Sequence, residues 1–118
     1  MVRRILALTL PLSCGPAFSS VCSPPPELQR VIETSPSADA YSAAGVWFAQ
    51  HQQTNCAVSA FEQAVKFQPN SFENRFNLGL ALVQTREYSR ATAEFRKAIA
   101  LKPDSSQARN ALGTALHP

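Results

Sequence analysis

The 118 residues are 45% apolar and 16% charged, with nine prolines and four glycines, a composition that suits one packed domain and excludes a wholly disordered chain. The formal charge of +3 rests partly on Arg3 and Arg4; without residues 1–19, nine basic side chains face eight acidic ones and the net falls to +1. No concentrated basic stripe remains, which argues against nucleic acid as a partner.

At the N-terminus, Arg3-Arg4 precede an apolar run from Ile5 to Leu12, and Ala17-Phe18-Ser19 puts small residues at the two positions a signal peptidase reads. The pattern predicts a signal peptide over residues 1–19 with a cut before Ser20, and hence an exported protein, periplasmic or secreted. The apolar run is far shorter than the roughly 20 residues of a membrane-spanning helix. Two alternatives stay open: a cytoplasmic protein with a disordered or weakly helical N-terminus, and an envelope protein lipid-anchored at Cys14. Leu12-Ser13-Cys14 resembles a lipobox, but Pro11 stands where that motif wants Leu. Membrane association is expected only through such a leader or anchor.

Residues 20–37 read as a Pro-rich linker, Ser23-Pro24-Pro25-Pro26, followed by a short capping helix with Leu28, Val31 and Ile32 on one stripe. Pro26 is acceptable in a first helical turn. The predicted cut leaves Cys22 and Cys56 as the only thiols. They can pair in an oxidising compartment, although nothing in the spacing demands it; the simpler reading is Cys56 as a small buried apolar residue.

From residue 38 onward the chain repeats. Residues 38–71 align without a gap on 72–105, an offset of 34. Gly45 falls on Gly79, Gln50 on Gln84, Ala57 on Ala91, Phe61 on Phe95, Ala64 on Ala98, Pro69 on Pro103 and Ser71 on Ser105. These seven identities in 34 columns exceed the roughly two that average composition gives by chance. Residues 106–118 begin a third copy, with Gly113 again 34 after Gly79, and supply one C-terminal capping helix. Apolar residues at helical spacing, such as Ala91, Phe95, Ala98 and Ile99, predict amphipathic helices near 40–51, 56–67, 72–85, 89–101 and 106–116. Pro69 and Pro103 end helices, and Asn70-Ser71 and Asp104-Ser105-Ser106 supply N-caps for the next ones.

An enzyme needs convergent polar groups, and the sequence offers few. The two histidines, His51 and His117, read as solvated helix ends. No phosphate loop, nucleophile elbow or zinc spacing is present, so no catalytic residue, metal or cofactor is predicted. Arg90 and Glu94 read as an i, i+4 ion pair, and Arg96, Lys97 and Lys102 as cations complementing a helix C-terminus.

The 34-residue period, Leu78-Gly79, Ala91-x-x-x-Phe95, Ala98 and Pro103 closely resemble a tetratricopeptide repeat, and residues 38–117 carry the likeness. Arg75 stands where that family usually has an aromatic residue, and Ala44 where it usually has Leu. The resemblance implies an all-α, right-handed solenoid of antiparallel helix pairs, with Gly45, Ala57, Phe61, Ala64, Pro69, Gly79, Ala91, Phe95, Ala98 and Pro103 as structural positions. It also implies a non-catalytic module that binds a peptide or helix of a partner protein on its concave face, and the apolar wall with amide edges suits an amphipathic helix or an extended apolar segment. The lining would be Val46, Gln50, Phe76, Asn77, Leu80, Val83, Gln84 and Asn110. The competing reading is that Val46, Leu80 and Val83 merely pack the inner wall. The family's clamp for acidic peptide termini would fall on Ser42, Val46, Asn77, Gln107 and Ala111, where only Asn77 matches. Two other functions stay open: a truncated repeat fragment that works only when stacked on further repeats, since three or more are generally needed, and an auxiliary subunit of an envelope enzyme.

Overall fold

The computed structural model describes residues 22–118; the signal-peptide and lipobox expectations, with Cys14, lie outside the described residues. Six helices follow one another: α1 (Pro26–Thr34), α2 (Ala38–Gln50), α3 (Thr54–Phe67), α4 (Phe72–Gln84), α5 (Tyr88–Leu101) and α6 (Ser106–Leu116). There is no strand among the described residues. α2 packs on α3 and α4 on α5 as antiparallel pairs, α3 joins the two pairs through α4, and α6 lies on α5. This is an α-solenoid.

The same local chemistry starts each pair. Ser37, Ser71 and Ser105 sit in extended backbone and accept hydrogen bonds from Ala40 N, Asn74 N and Ala108 N at 3.1, 3.2 and 3.1 Å. Each satisfies one of the amides that a helix start leaves without a partner. Pro26 occupies the first turn of α1, where its missing N–H costs nothing.

The turns inside the pairs are equivalent too. Gln52 (φ 62°) and Arg86 (φ 64°) are left-handed, and in each turn two amides return to the helix just ended. Gln52 N donates to Ala49 O and Gln53 N to Phe48 O; Arg86 N donates to Val83 O and Glu87 N to Leu82 O. That pattern is a Schellman motif, and it folds α3 and α5 back antiparallel to α2 and α4.

Between paired helices, a glycine meets an aromatic ring. A Cβ at Gly45 would stand 2.7 Å from Phe61 Cδ1, and one at Gly79 2.7 Å from Phe95 Cδ1, so only glycine lets these rings seat. Ala57, Ala64, Ala91 and Ala98 flank the rings, fully buried, and Phe48, Leu82 and Phe95 are the largest fully buried side chains. Pro69 and Pro103 stand in the turns that follow α3 and α5. Across the pairs, buried Asn74 donates from Nδ2 to Ala64 O at 3.4 Å, which gives its amide a partner away from water.

Two expectations need correction. Cys56 is buried, but it is bonded to Cys22 across 34 residues of chain. The bond anchors the segment preceding α1, and Ile32 of α1 joins the core cluster. Arg90 does not pair with Glu94: it bridges Glu87 at 3.0 Å and reaches Glu62 on α3, because its guanidinium points across to the neighbouring pair of helices. That contact holds the Arg90 pKa above its ordinary value. Glu94 instead pairs with Arg75 at 2.9 Å and with Lys97 at 3.7 Å. Arg75 also donates from Nε to Pro69 O at 2.9 Å, so this residue, set where an aromatic is usual, links α4, α5 and the turn before α4.

Candidate functional site

A cavity of about 520 Å³ opens between α2 and α4. Val46, Ala49 and Gln50 from α2 form one wall, and Asn77, Leu80, Ala81 and Gln84 from α4 the other. Phe61 of α3 closes the floor, and Gln52 of the turn after α2 and Thr54 at the start of α3 edge it. None of these ten side chains is ionisable.

The cavity is a consequence of the repeat. Val46 and Leu80 occupy positions 34 apart, as do Gln50 and Gln84, so parallel helices present an apolar row beside an amide row. Val46 and Leu80 are each 42% exposed, although both are apolar and their helices are otherwise well covered. Their side chains are therefore available to a ligand and do not close the core. The amides of Gln50, Asn77 and Gln84 stand beside them, each able to give and accept a hydrogen bond.

Of the residues named from the sequence, Val46, Gln50, Asn77, Leu80 and Gln84 come together on this cavity. Phe76, Val83 and Asn110 do not line it. Phe76 is 8% exposed, stacks on Phe72 at 5.7 Å and meets Phe95 at 5.8 Å. Its side chain reaches back along the helix, as long helical side chains do, and so falls on the α5 side of α4. Val83 packs partly buried against the core, and Asn110 is exposed on α6. Gln52, Thr54 and Ala81 lie outside the residues named from the sequence; the left-handed turn brings Gln52, and with it Thr54 at the start of α3, to the rim, and glutamine carries no signal for that conformation.

His51 and His117 occupy the C-cap positions of α2 and α6. His51 stacks on Trp47 at 3.9 Å, with its Nδ1 2.8 Å from Trp47 O. Among the described residues, no three His, Cys, Asp or Glu side chains come close enough together to hold a metal ion. No helix there is long and apolar enough to cross a membrane.

The paired helices, the glycine–aromatic contacts and the open inner face define a helical-repeat interaction scaffold. The tetratricopeptide-repeat family model matches residues 48–106 and 76–117, and the chain belongs to this family, whose members are non-catalytic protein-interaction modules. A comparison with curated proteins finds no match. Among solved structures, the chain is similar to MamA of AMB-1 (25% identity, TM-score 0.68, covering 75% of this chain and 49% of that one). It is likewise similar to MamA of MSR-1 (26% identity, TM-score 0.67, 75% and 51%). The tetratricopeptide domain of Arabidopsis OM64 shares the fold at 20% identity (TM-score 0.70, 77% of each chain). The chain spans about half the length of the MamA structures it matches.

Proposed function

We propose that the α2–α4 cavity binds an extended, apolar segment of a partner protein. The observation that carries this reading is the uncharged wall: Val46 and Leu80 exposed beside Gln50, Asn77 and Gln84. An acidic peptide end placed there loses its hydration without a cation to replace it, which is unfavourable. An apolar side chain gains by burial, and the three amides can bond a backbone whose own N–H and C=O groups are free. An extended segment has such groups and a helix does not. A volume of about 520 Å³ lies within the roughly 300–1,000 Å³ of small-ligand pockets, enough for a few side chains.

The compartment is part of the proposal. The Cys22–Cys56 bond supports an oxidising environment, in keeping with an exported protein whose leader ends before Ser20. Selection of a random peptide library displayed against the purified chain tests the binding mode. The expected winners are apolar, without an acidic terminus, and lost on Leu80→Asp. Enrichment of acidic C-termini, or of peptides that survive Leu80→Asp, contradicts the reading.

A further inference from the structure

The second helix of each pair starts differently from the first. α2, α4 and α6 open on Ser37, Ser71 and Ser105, whose side chains cap them. α3 and α5 follow Gln53 and Glu87, and neither side chain caps its helix. In α5 the start is tied from outside: Arg90, in the first turn, bridges back to Glu87 and across to Glu62 on α3. At the same place in the first repeat, 34 residues earlier, Gln53 stands for Glu87 and Cys56 for Arg90. Neither can form an ion bridge, and the Cys22–Cys56 bond supplies the tie instead.

That tie lies beside the cavity. Gln52 and Thr54, which edge the α2–α4 cavity, stand four and two residues before Cys56. Gln52 is left-handed (φ 62°), a backbone state that a Cβ disfavours, so the turn depends on the two helices that it joins. Gln53 N donates to Phe48 O, and Ala57 N donates to Gln53 O, which carries the turn from the end of α2 into α3. Ala57 and Val58 are buried, so the body of α3 stays packed when the bond opens. What opening releases is the first turn of α3 and the rim attached to it.

We infer that binding at the α2–α4 cavity is redox-dependent: the Cys22–Cys56 disulfide holds the rim at Gln52 and Thr54 in the binding form, and the reduced chain releases it. The inference rests on the reading of the cavity as a binding site. The reductant is a dithiol. Cys22 is part-buried and Cys56 only 5% exposed, so the attacking thiolate reaches Cys22 Sγ. The Cys56 sulfur leaves as a thiolate and takes a proton. The second thiol of the reductant then displaces Cys22 from the mixed disulfide; the protein gains two electrons and two protons, and the dithiol becomes a disulfide. The start of α5, tied by charge and not by sulfur, keeps its form throughout and is the internal reference.

The probe is an apolar peptide selected from a displayed library on the oxidised full chain and lost on Leu80→Asp. By calorimetry its affinity should fall about tenfold or more when dithiothreitol reduces the chain, and return on reoxidation. Cys22→Ser should bind as weakly as the reduced chain, with or without dithiothreitol. The reduced chain should keep its helical circular dichroism signal. On reduction, amide exchange should rise about tenfold or more at Gln53 and Ala57. It should stay level at Glu87 and Ala91, which make the same bonds in the second repeat. Equal affinity of the two forms, or unchanged exchange at Gln53 and Ala57, would overturn the inference and leave the cavity reading standing. So would loss of the helical signal on reduction, because the bond would then staple the whole fold. A library that yields no peptide sensitive to Leu80→Asp would overturn the cavity reading, and this inference with it.

Discussion

Phe95 seats on Gly79 so closely that a Cβ on the glycine would stand 2.7 Å from the ring's Cδ1. The ring is fully buried and also meets Phe76 at 5.8 Å. This contact fixes the approach of α4 to α5, and the Gly45–Phe61 contact does the same for α2 and α3. Gly79→Leu should therefore overpack the pair and cost about 1–3 kcal/mol. Phe95→Ala should cost about 3–5 kcal/mol by leaving a cavity. Urea unfolding followed by far-ultraviolet circular dichroism checks both. Unchanged midpoints would mean that the pair is not held together here.

The Cys22–Cys56 bond closes 34 residues of chain and secures the segment leading into α1. In the chain-entropy view a loop of this length contributes about 2–4 kcal/mol. Reduction, or Cys56→Ser, should lower the melting temperature and raise amide exchange in α1 before the rest of the molecule. Alkylation of the native, unreduced protein processed before Ser20 should label neither cysteine. Labelling of both contradicts the bond.

The Arg75–Glu94 pair joins α4 to α5 with side chains only 16% and 14% exposed, so solvent screens it less than a surface pair. A double-mutant cycle with Arg75→Ala and Glu94→Ala should return a coupling of about 1–2 kcal/mol. A coupling near zero would make Arg75 useful only for its bond to the Pro69 carbonyl.

Gln52 and Arg86 hold left-handed backbone at the two Schellman turns. Glycine adopts that conformation without a Cβ penalty, so Arg86→Gly should stabilise the chain by about 0.5–1 kcal/mol. Gln52→Gly should do the same, and it shortens a side chain at the cavity rim. Melting curves of the two variants check this; a loss of stability in both would mean the turns are not held left-handed in solution.

The helical frame was legible because one period governs it. The spacing of Gly45 and Gly79, Phe61 and Phe95, and Ser71 and Ser105 carries helices, tight contacts and caps together, and helix ends differ from expectation by two residues at most. Ser37 caps α2 one full period before Ser71, a position the alignment stopped short of by one residue. What stayed hidden depends on three dimensions. A disulfide needs facing Cβ atoms, which spacing does not supply. The turns fall where the sequence puts them, at Gln52-Gln53 and Arg86-Glu87, but their left-handed backbone stayed hidden because Gln and Arg carry no signal for it. Phe76 and Leu80 are four apart and read as one stripe, but that stripe wraps round α4: the ring falls on the core side and the leucine on the cavity side.

The central claim is that an uncharged cavity between α2 and α4 takes an apolar, extended segment. Calorimetric titration of a library-selected peptide at about 0.05 M and 0.5 M salt tests it most directly, because added salt screens charges and leaves apolar burial in place. The account predicts affinities that agree within about a factor of two, abolished by Leu80→Asp and unaffected by Arg96→Ala. A fall of about tenfold or more with salt, or binding that survives Leu80→Asp and fails on Arg96→Ala, would contradict it and put the interaction at the cations of α5, away from the cavity.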